Sequence, residues 1–164
     1  MSIRLHLLGI PYTITRHEYS SCAFTGKVHR FSPMMRSRGF EVYHYGIETS
    51  QSGANKDIDL MTLSEWNELR IKTFQFVEPT LSYEDALKKN NDPTIIPSVL
   101  ARWDSPLFVE FNKRLAPLLK ANYRSQQTDI VCIPLGKSYE AALCQGNYVC
   151  VETGIGYNLS LIHI

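Results

Sequence analysis

Several short stretches of this chain carry residue types that can do chemistry where an extended segment gives way to a loop. Phe24-Thr25-Gly26-Lys27 can set backbone N–H groups and a lysine at the start of a helix, an arrangement that holds phosphate or another anion. Gly136-Lys137-Ser138 repeats those residue types, with a plain strand-to-helix turn capped by Ser138 as the alternative. Neither completes a phosphate-binding P-loop, because the glycine required five positions earlier is Ser21 in one case and Val131 in the other. A nucleoside triphosphatase is disfavoured on that ground. Gly154-Ile155-Gly156 reads as a ligand loop or as a flexible turn, and lacks the third glycine of a dinucleotide fingerprint. Glu152, just before it, is either a carboxylate for a ligand hydroxyl or a structural anchor.

The histidines divide by setting. His44, between Tyr43 and Tyr45 and followed by Gly46, stands where it can hydrogen-bond a polar ligand or serve as a half-buried structural residue. His17 beside Glu18 is a base or acceptor contact, or a solvated loop pair. His6 alternates with apolar residues and belongs to a core. No His/Cys/Asp/Glu spacing suggests a metal, and no GxSxG or Cys-His pattern suggests a nucleophile, so the residues alone name no catalytic group.

These positions gain meaning from the elements that must hold them. Ile3 to Gly9 is a compact strand ended by glycine and proline. Val28, Phe31, Met34 or Met35, and Phe40 recur at helical spacing with Gly39 as a stop, and Pro33 predicts a helix that begins late, near Ser32, or kinks there. Glu41 to Gly46 is the next strand, so the chain opens as a βαβ unit with two parallel strands and a right-handed crossover. Residues 47–60, rich in Ser, Gly and Asn, read as a loop. Thr62-Leu63-Ser64-Glu65 caps a helix through about Phe76 with Trp66, Leu69 and Phe76 near one face, and a second helix covers Tyr83 to Lys89. After an irregular proline-bearing connection, Asp104-Ser105-Pro106 opens a helix whose Phe108, Phe111, Leu115, Leu118, Leu119 and Tyr123 form an apolar stripe, with Pro117 expected to bend it. Asp129 to Pro134 is a strand buried on both faces, residues 138–143 a short helix, and Asn147 to Glu152 another strand. The expected class is α/β: a Rossmann-like, doubly wound, mainly parallel sheet with helices on both faces. In such sheets ligands bind outside the carboxyl ends of the strands, which makes Thr25, Gly26, Lys27, His44, Gly46, Glu152, Gly154 and Gly156 the candidate site residues.

With 164 residues, 44% of them apolar and 20% charged, the chain suits one soluble domain with a real core, expected in the cytoplasm. Seventeen basic against sixteen acidic residues leave no net field to attract nucleic acid, although a local basic patch at Lys27–Arg38 keeps contact with a membrane surface open. Cys22, Cys132, Cys144 and Cys150 form no CxxC pair and fit reduced thiols.

The run from Ile3-Arg4-Leu5-His6-Leu7-Leu8-Gly9 through Cys22-Ala23-Phe24-Thr25-Gly26-Lys27 to Arg38-Gly39-Phe40-Glu41-Val42-Tyr43-His44-Tyr45-Gly46 resembles the N-terminal domain of GT-B-fold glycosyltransferases of the group 1/family 4 kind. Val151 to Tyr157 adds to the likeness, which spans most of residues 1–158. It implies an acceptor-side half whose full-length enzyme transfers a sugar from a nucleotide-sugar donor to a glycan or other acceptor. The donor would be a co-substrate held mainly by a C-terminal domain, and no metal or other cofactor is obligatory. Leu159-Ser160-Leu161-Ile162-His163-Ile164 matches the translation of a transposon-end sequencing adapter, a short final strand being the alternative. The expectation is therefore an inactive fragment that departs from its natural sequence after Asn158. Its rivals are a stand-alone Rossmann-like binding or regulatory module and a nucleotide-sugar epimerase or dehydrogenase fragment, the latter disfavoured by a first strand without GxGxxG.

Overall fold

The computed structural model describes residues 2–92, 100 and 102–134, together with the backbone of 148–150. Within them β1 (Arg4–Leu8), α1 (Ala23–Ser37), β2 (Glu41–Ile47), β3 (Lys56–Met61), α2 (Leu63–Val77), α3 (Tyr83–Asn91), α4 (Pro106–Asn122), β4 (Asp129–Ile133) and β5 (Tyr148–Cys150) follow in order. The strands form one sheet in the order β3-β2-β1-β4-β5, and every neighbouring pair is parallel.

Strand alternation sorts the side chains onto two faces. Leu5 and Leu7 of β1, Val42 of β2 and Cys132 of β4 meet Val28 of α1 on one face. Leu8, Tyr45, Val131 and Ile133 pack on the other face with Trp66 and Phe74 of α2 and with Leu107, Phe108, Phe111, Leu115 and Leu119 of α4. Helices thus cover both faces, and the strand order reverses between β1 and β4, as in a Rossmann-like doubly wound sheet. Each fully buried Leu or Phe contributes roughly 1.5–3 kcal/mol through burial, so the α4 stripe is a main source of cohesion.

Capping explains where the helices of the second face begin. Thr62 and Glu65 form a reciprocal capping box, Ser82 accepts from the Asp85 amide, and Ser105 precedes Pro106 and accepts from the Phe108 amide. On α2 it is Phe74 that is buried, while Phe76 is 41% exposed, contrary to the expected face. The helix α4 runs through Pro117 to Asn122.

Two expectations are corrected. Helix α1 starts at Ala23, well before Ser32, and carries Pro33 inside it. The Pro33 ring lies against Gly53, where an added Cβ would touch it at 3.4 Å. Residues 47–60 are also not all loop: Ile47 completes β2, and Lys56–Met61 is the edge strand β3. Its Lys-Asp-Ile-Asp start has little strand propensity, but charges suit an edge that must not pair with another chain.

The link from β2 to β3 is unusually short for parallel neighbours, which ordinarily need about a dozen residues or more and a helix. Residues 48–55 manage it by lying along the α1 face, where Ala54 joins the α1-side core. Thr49 (φ 70°) and Gly53 (φ 74°) take left-handed turns. The Asn55 amide then donates to the Val42 carbonyl while Asn55 Oδ1 accepts from the Val42 amide, each at 2.8 Å.

At the amino end of the sheet a buried polar chain ties three strands together. His6 Nε2 lies 2.9 Å from Asp129 Oδ2 and His6 Nδ1 lies 2.8 Å from the Tyr45 hydroxyl. An ionised Asp129 only accepts, so Nε2 carries the proton and Tyr45 donates to Nδ1. Asp129 also accepts from the Arg124 amide, Arg124 Nε and the Thr128 hydroxyl. Burial pushes the Asp129 carboxyl up, and these bonds outweigh it to hold the pKa at about 2. Burial likewise pushes His6 down, against the pull of Asp129.

Both shifts are depressions, so both contribute stability at neutral pH that is lost on acidification. Loss from His6 begins below its ordinary value near 6.5, and loss from Asp129, on the order of 2 kcal/mol, falls between its ordinary 3.8 and about 2. Urea unfolding at a series of pH values should show this decline. Asp129→Asn, which leaves His6 and Arg124 facing a neutral amide, should cost about 3–5 kcal/mol at pH 7 and flatten the acid limb.

Candidate functional site

The carboxyl ends of β1 and β2 meet a long loop, residues 9–22, whose two halves differ. Residues 9–15 are buried, whereas Arg16 to Cys22 come to the surface through a short 3-10 turn at His17–Tyr19. The buried half is anchored by its own chemistry: the Trp66 indole donates to the Pro11 carbonyl at 2.8 Å, and the Thr13 and Thr25 hydroxyls bond to each other.

His44 lies at the centre of this region and is fully buried rather than half-buried. Its Nε2 is 2.9 Å from the Thr15 hydroxyl, and its Nδ1 is 2.8 Å from Asp57 Oδ1, close enough for an ion pair although off the line of a hydrogen bond. Asp57 also accepts from the Ser52 hydroxyl at 2.6 Å. Burial raises the Asp57 carboxyl, and the contacts with His44 and Ser52 more than reverse this, leaving it below its ordinary value. The imidazole has room because two glycines flank it. A Cβ on Gly46 would come within 2.5 Å of His44 Cε1, and one on Gly9 within 2.8 Å of the Tyr45 carbonyl and 3.1 Å of His44 Nε2. His44 therefore clamps the first loop and β3 onto the end of β2.

The remaining expected residues separate into two groups. Thr25 and Gly26 are buried in the first turn of α1, where the Gly26 amide donates to the Cys22 carbonyl and its Cα packs against the Ser20 carbonyl. Lys27 follows them in the same turn, partly buried. Gly46, His44 and the start of α1 thus surround one loop. Glu152, Gly154, Gly156, Gly136-Lys137-Ser138 and the expected helix at 138–143 lie outside the described residues. Cys132 is fully buried, and burial pushes its thiol up to about 12, which makes it inert as a nucleophile. Among the described residues no cluster of three or more His, Cys, Asp or Glu side chains is placed to hold a metal, and no helix is long and apolar enough to cross a membrane.

A second concavity, about 250 Å³, opens at the carboxyl end of β3 between Glu48, Asp59, Thr62, Glu65 and Arg114. Its charges are largely spent on one another. Glu65 caps α2 and pairs with Arg114 at 3.0 Å, and Glu48 accepts from the Leu63 amide at 2.7 Å. Its volume is below the roughly 300 Å³ at which small-molecule pockets begin.

Sequence reasoning missed four residues here. Thr15 and Asp57 complete the His44 clamp, and Asp57 was hidden because its segment read as loop. Arg16 and Arg70 gather around the Tyr19–Trp66 aromatic pair: Arg70 stacks 4.4 Å from the Trp66 ring, Arg16 lies 5.5 Å from the Tyr19 ring, and the two rings meet edge to face at 6.3 Å. The one signal for this in the sequence is an Arg four residues after a Trp on a helix. Comparison with protein-family models, curated proteins and solved structures finds no match.

The clamp makes a coupling prediction. Gly46→Ala should destabilise by about 1–3 kcal/mol because its methyl meets the imidazole. In a His44→Ala background the same change should cost much less, a coupling of at least about 1 kcal/mol in a double-mutant cycle followed by urea unfolding. Additive effects would show that the glycine is required for some other reason.

Proposed function

We propose that this chain is the acceptor-side half of a glycosyltransferase, and that its loop after β1 forms one wall of the cleft in which a sugar passes from a nucleotide-sugar donor to an acceptor. The observation that carries this reading is the placement of that loop. A parallel sheet binds ligands beyond its carboxyl ends, and here residues 9–22 lie over those ends with a buried inner half and an outer half bearing Arg16, His17 and Glu18. The resemblance of residues 3–46 to the N-terminal domain of GT-B-fold enzymes supports the same assignment.

On this reading His44, Thr15 and Asp57 are positioning residues that fix the loop, while the exposed residues of the loop meet the acceptor. Donor recognition and the reacting groups belong to a second domain, so this chain binds without turning over. Thr25, Gly26 and Lys27, which hold the far end of the loop, are site candidates that this reading retains among the described residues.

The test is to determine the source gene across the codons for residues 157–164 without a transposon adapter, then to assay the complete product against a panel of nucleotide sugars. The expected outcome is a second α/β domain and hydrolysis or transfer of at least one donor, with no turnover by residues 1–164 alone. In the complete protein, His44→Ala should raise KM for acceptor at least tenfold with a smaller change in KM for donor. A complete product that lacks a second domain and turns over no nucleotide sugar would overturn the assignment.

A further inference from the structure

The guanidinium of Arg70 finds no polar partner among the described residues. Arg70 on α2 is partly buried, its Nε is shielded from solvent, and its guanidinium makes neither a hydrogen bond nor an ion pair with the described residues. Its contact is the face of Trp66, itself only 1% exposed and held by Pro11. Burial lowers the Arg70 pKa, and the Tyr19 phenol opposes that only in part. Four other arginines of the described region are paired with carboxylates, Arg4 with Glu41, Arg102 with Asp104, Arg114 with Glu65 and Glu110, and Arg124 with Asp129, while Arg36 and Arg38 donate to the Gly53 and Met34 carbonyls.

The surroundings add positive potential. Arg16 lies over Tyr19 from the loop side, with its own Nε buried and without a hydrogen bond, and is only partly offset by Glu18 at 3.6 Å. The Cys22 amide donates to the Tyr19 carbonyl, so α1 begins one turn beyond Tyr19. Cys22 gives that helix no side-chain cap, so the positive end of the helix dipole lies one turn along the chain from Tyr19. A single carboxylate would leave much of this charge unbalanced, whereas a phosphate dianion would match it and accept several charge-assisted bonds.

We propose that Arg70, Arg16 and the Tyr19 edge form a binding site for a phosphate group carried by a ligand of this protein. The site does not depend on sugar transfer: it would serve a phosphorylated acceptor or a phosphorylated effector of a binding module equally. Arg70 supplies the planar fork on its Trp66 platform, and Arg16 faces it from the loop side of Tyr19.

Trp66 reports on the site directly because Arg70 stacks on it. In a Trp103→Phe variant, which removes the 69% exposed second tryptophan, inorganic phosphate or methyl phosphate should change the emission saturably at constant ionic strength, while acetate should not. Phosphate should also raise the melting temperature by several degrees. Arg70→Met keeps the apolar stem on Trp66, and should weaken phosphate binding at least tenfold while melting no lower than the parent in chloride. Sedimentation with vesicles of phosphatidic acid in phosphatidylcholine distinguishes the source: binding to vesicles assigns a lipid headgroup, and binding to methyl phosphate alone assigns a soluble monoester. The proposal is overturned if phosphate gives no saturable signal, if acetate acts equally, or if Arg70→Met melts well below its parent and phosphate stabilises neither.

Discussion

The need to satisfy a carboxylate inside the sheet organises this fold. Asp129 opens β4 with its side chain fully buried, a position that is tolerable only because His6, Arg124 and Thr128 all donate to it. His6 lies on β1 and reaches Tyr45 on β2, so one chain of hydrogen bonds runs across three strands. A slip of one residue in either pairing would turn His6 or Asp129 to the opposite face and leave a buried charge alone. Apolar packing holds the sheet between its helices, but it is indifferent to register to a degree that this network is not.

With register fixed at the amino end, the carboxyl end can be spent on close approaches. Gly9 and Gly46 face the same side of the sheet at the ends of β1 and β2, and the imidazole of His44 fills the space their missing side chains leave. Through Thr15 and Asp57 it then joins the first loop to the edge strand. A larger residue at either glycine would lift the loop from the sheet, and with it the surface on which Arg16 and Tyr19 stand. The route from amino-end network to carboxyl-end loop is thus mechanical, through strands whose relative positions the Asp129 contacts decide.

What could be read from the sequence follows from what periodicity measures. The opening βαβ unit, the capping box at Thr62 and Glu65, the Ser105-Pro106 helix start and the buried β4 all combine a local signal with an apolar pattern. The β3 strand escaped because its exposed edge carries Lys56, Asp57 and Asp59, and because a parallel link as short as residues 48–55 is uncommon. Pro33 argued for a late helix, yet tertiary contact with Gly53 and the α1-side core keeps that turn helical. His44 was legible as a strand-end residue, but its partners were not, since Asp57 lies on the strand that was missed. The ring of Arg16, Tyr19, Trp66 and Arg70 joins two elements distant in sequence, and no local pattern brings them together.

A buried carboxylate and a partly buried guanidinium in this α/β unit are treated in opposite ways. Asp129 is surrounded by donors until its ionised form is favoured over its neutral one. Arg70, which cannot shed its proton at any ordinary pH, is given an aromatic face and no polar partner among the described residues. A charge in the first condition stabilises the fold, and removing it should be costly. A charge in the second condition burdens the free protein, since a methionine of similar length would pack on Trp66 without the desolvation cost. An arrangement of that kind is accounted for by an interaction made only when an anion is present, with stability in the free state traded for binding.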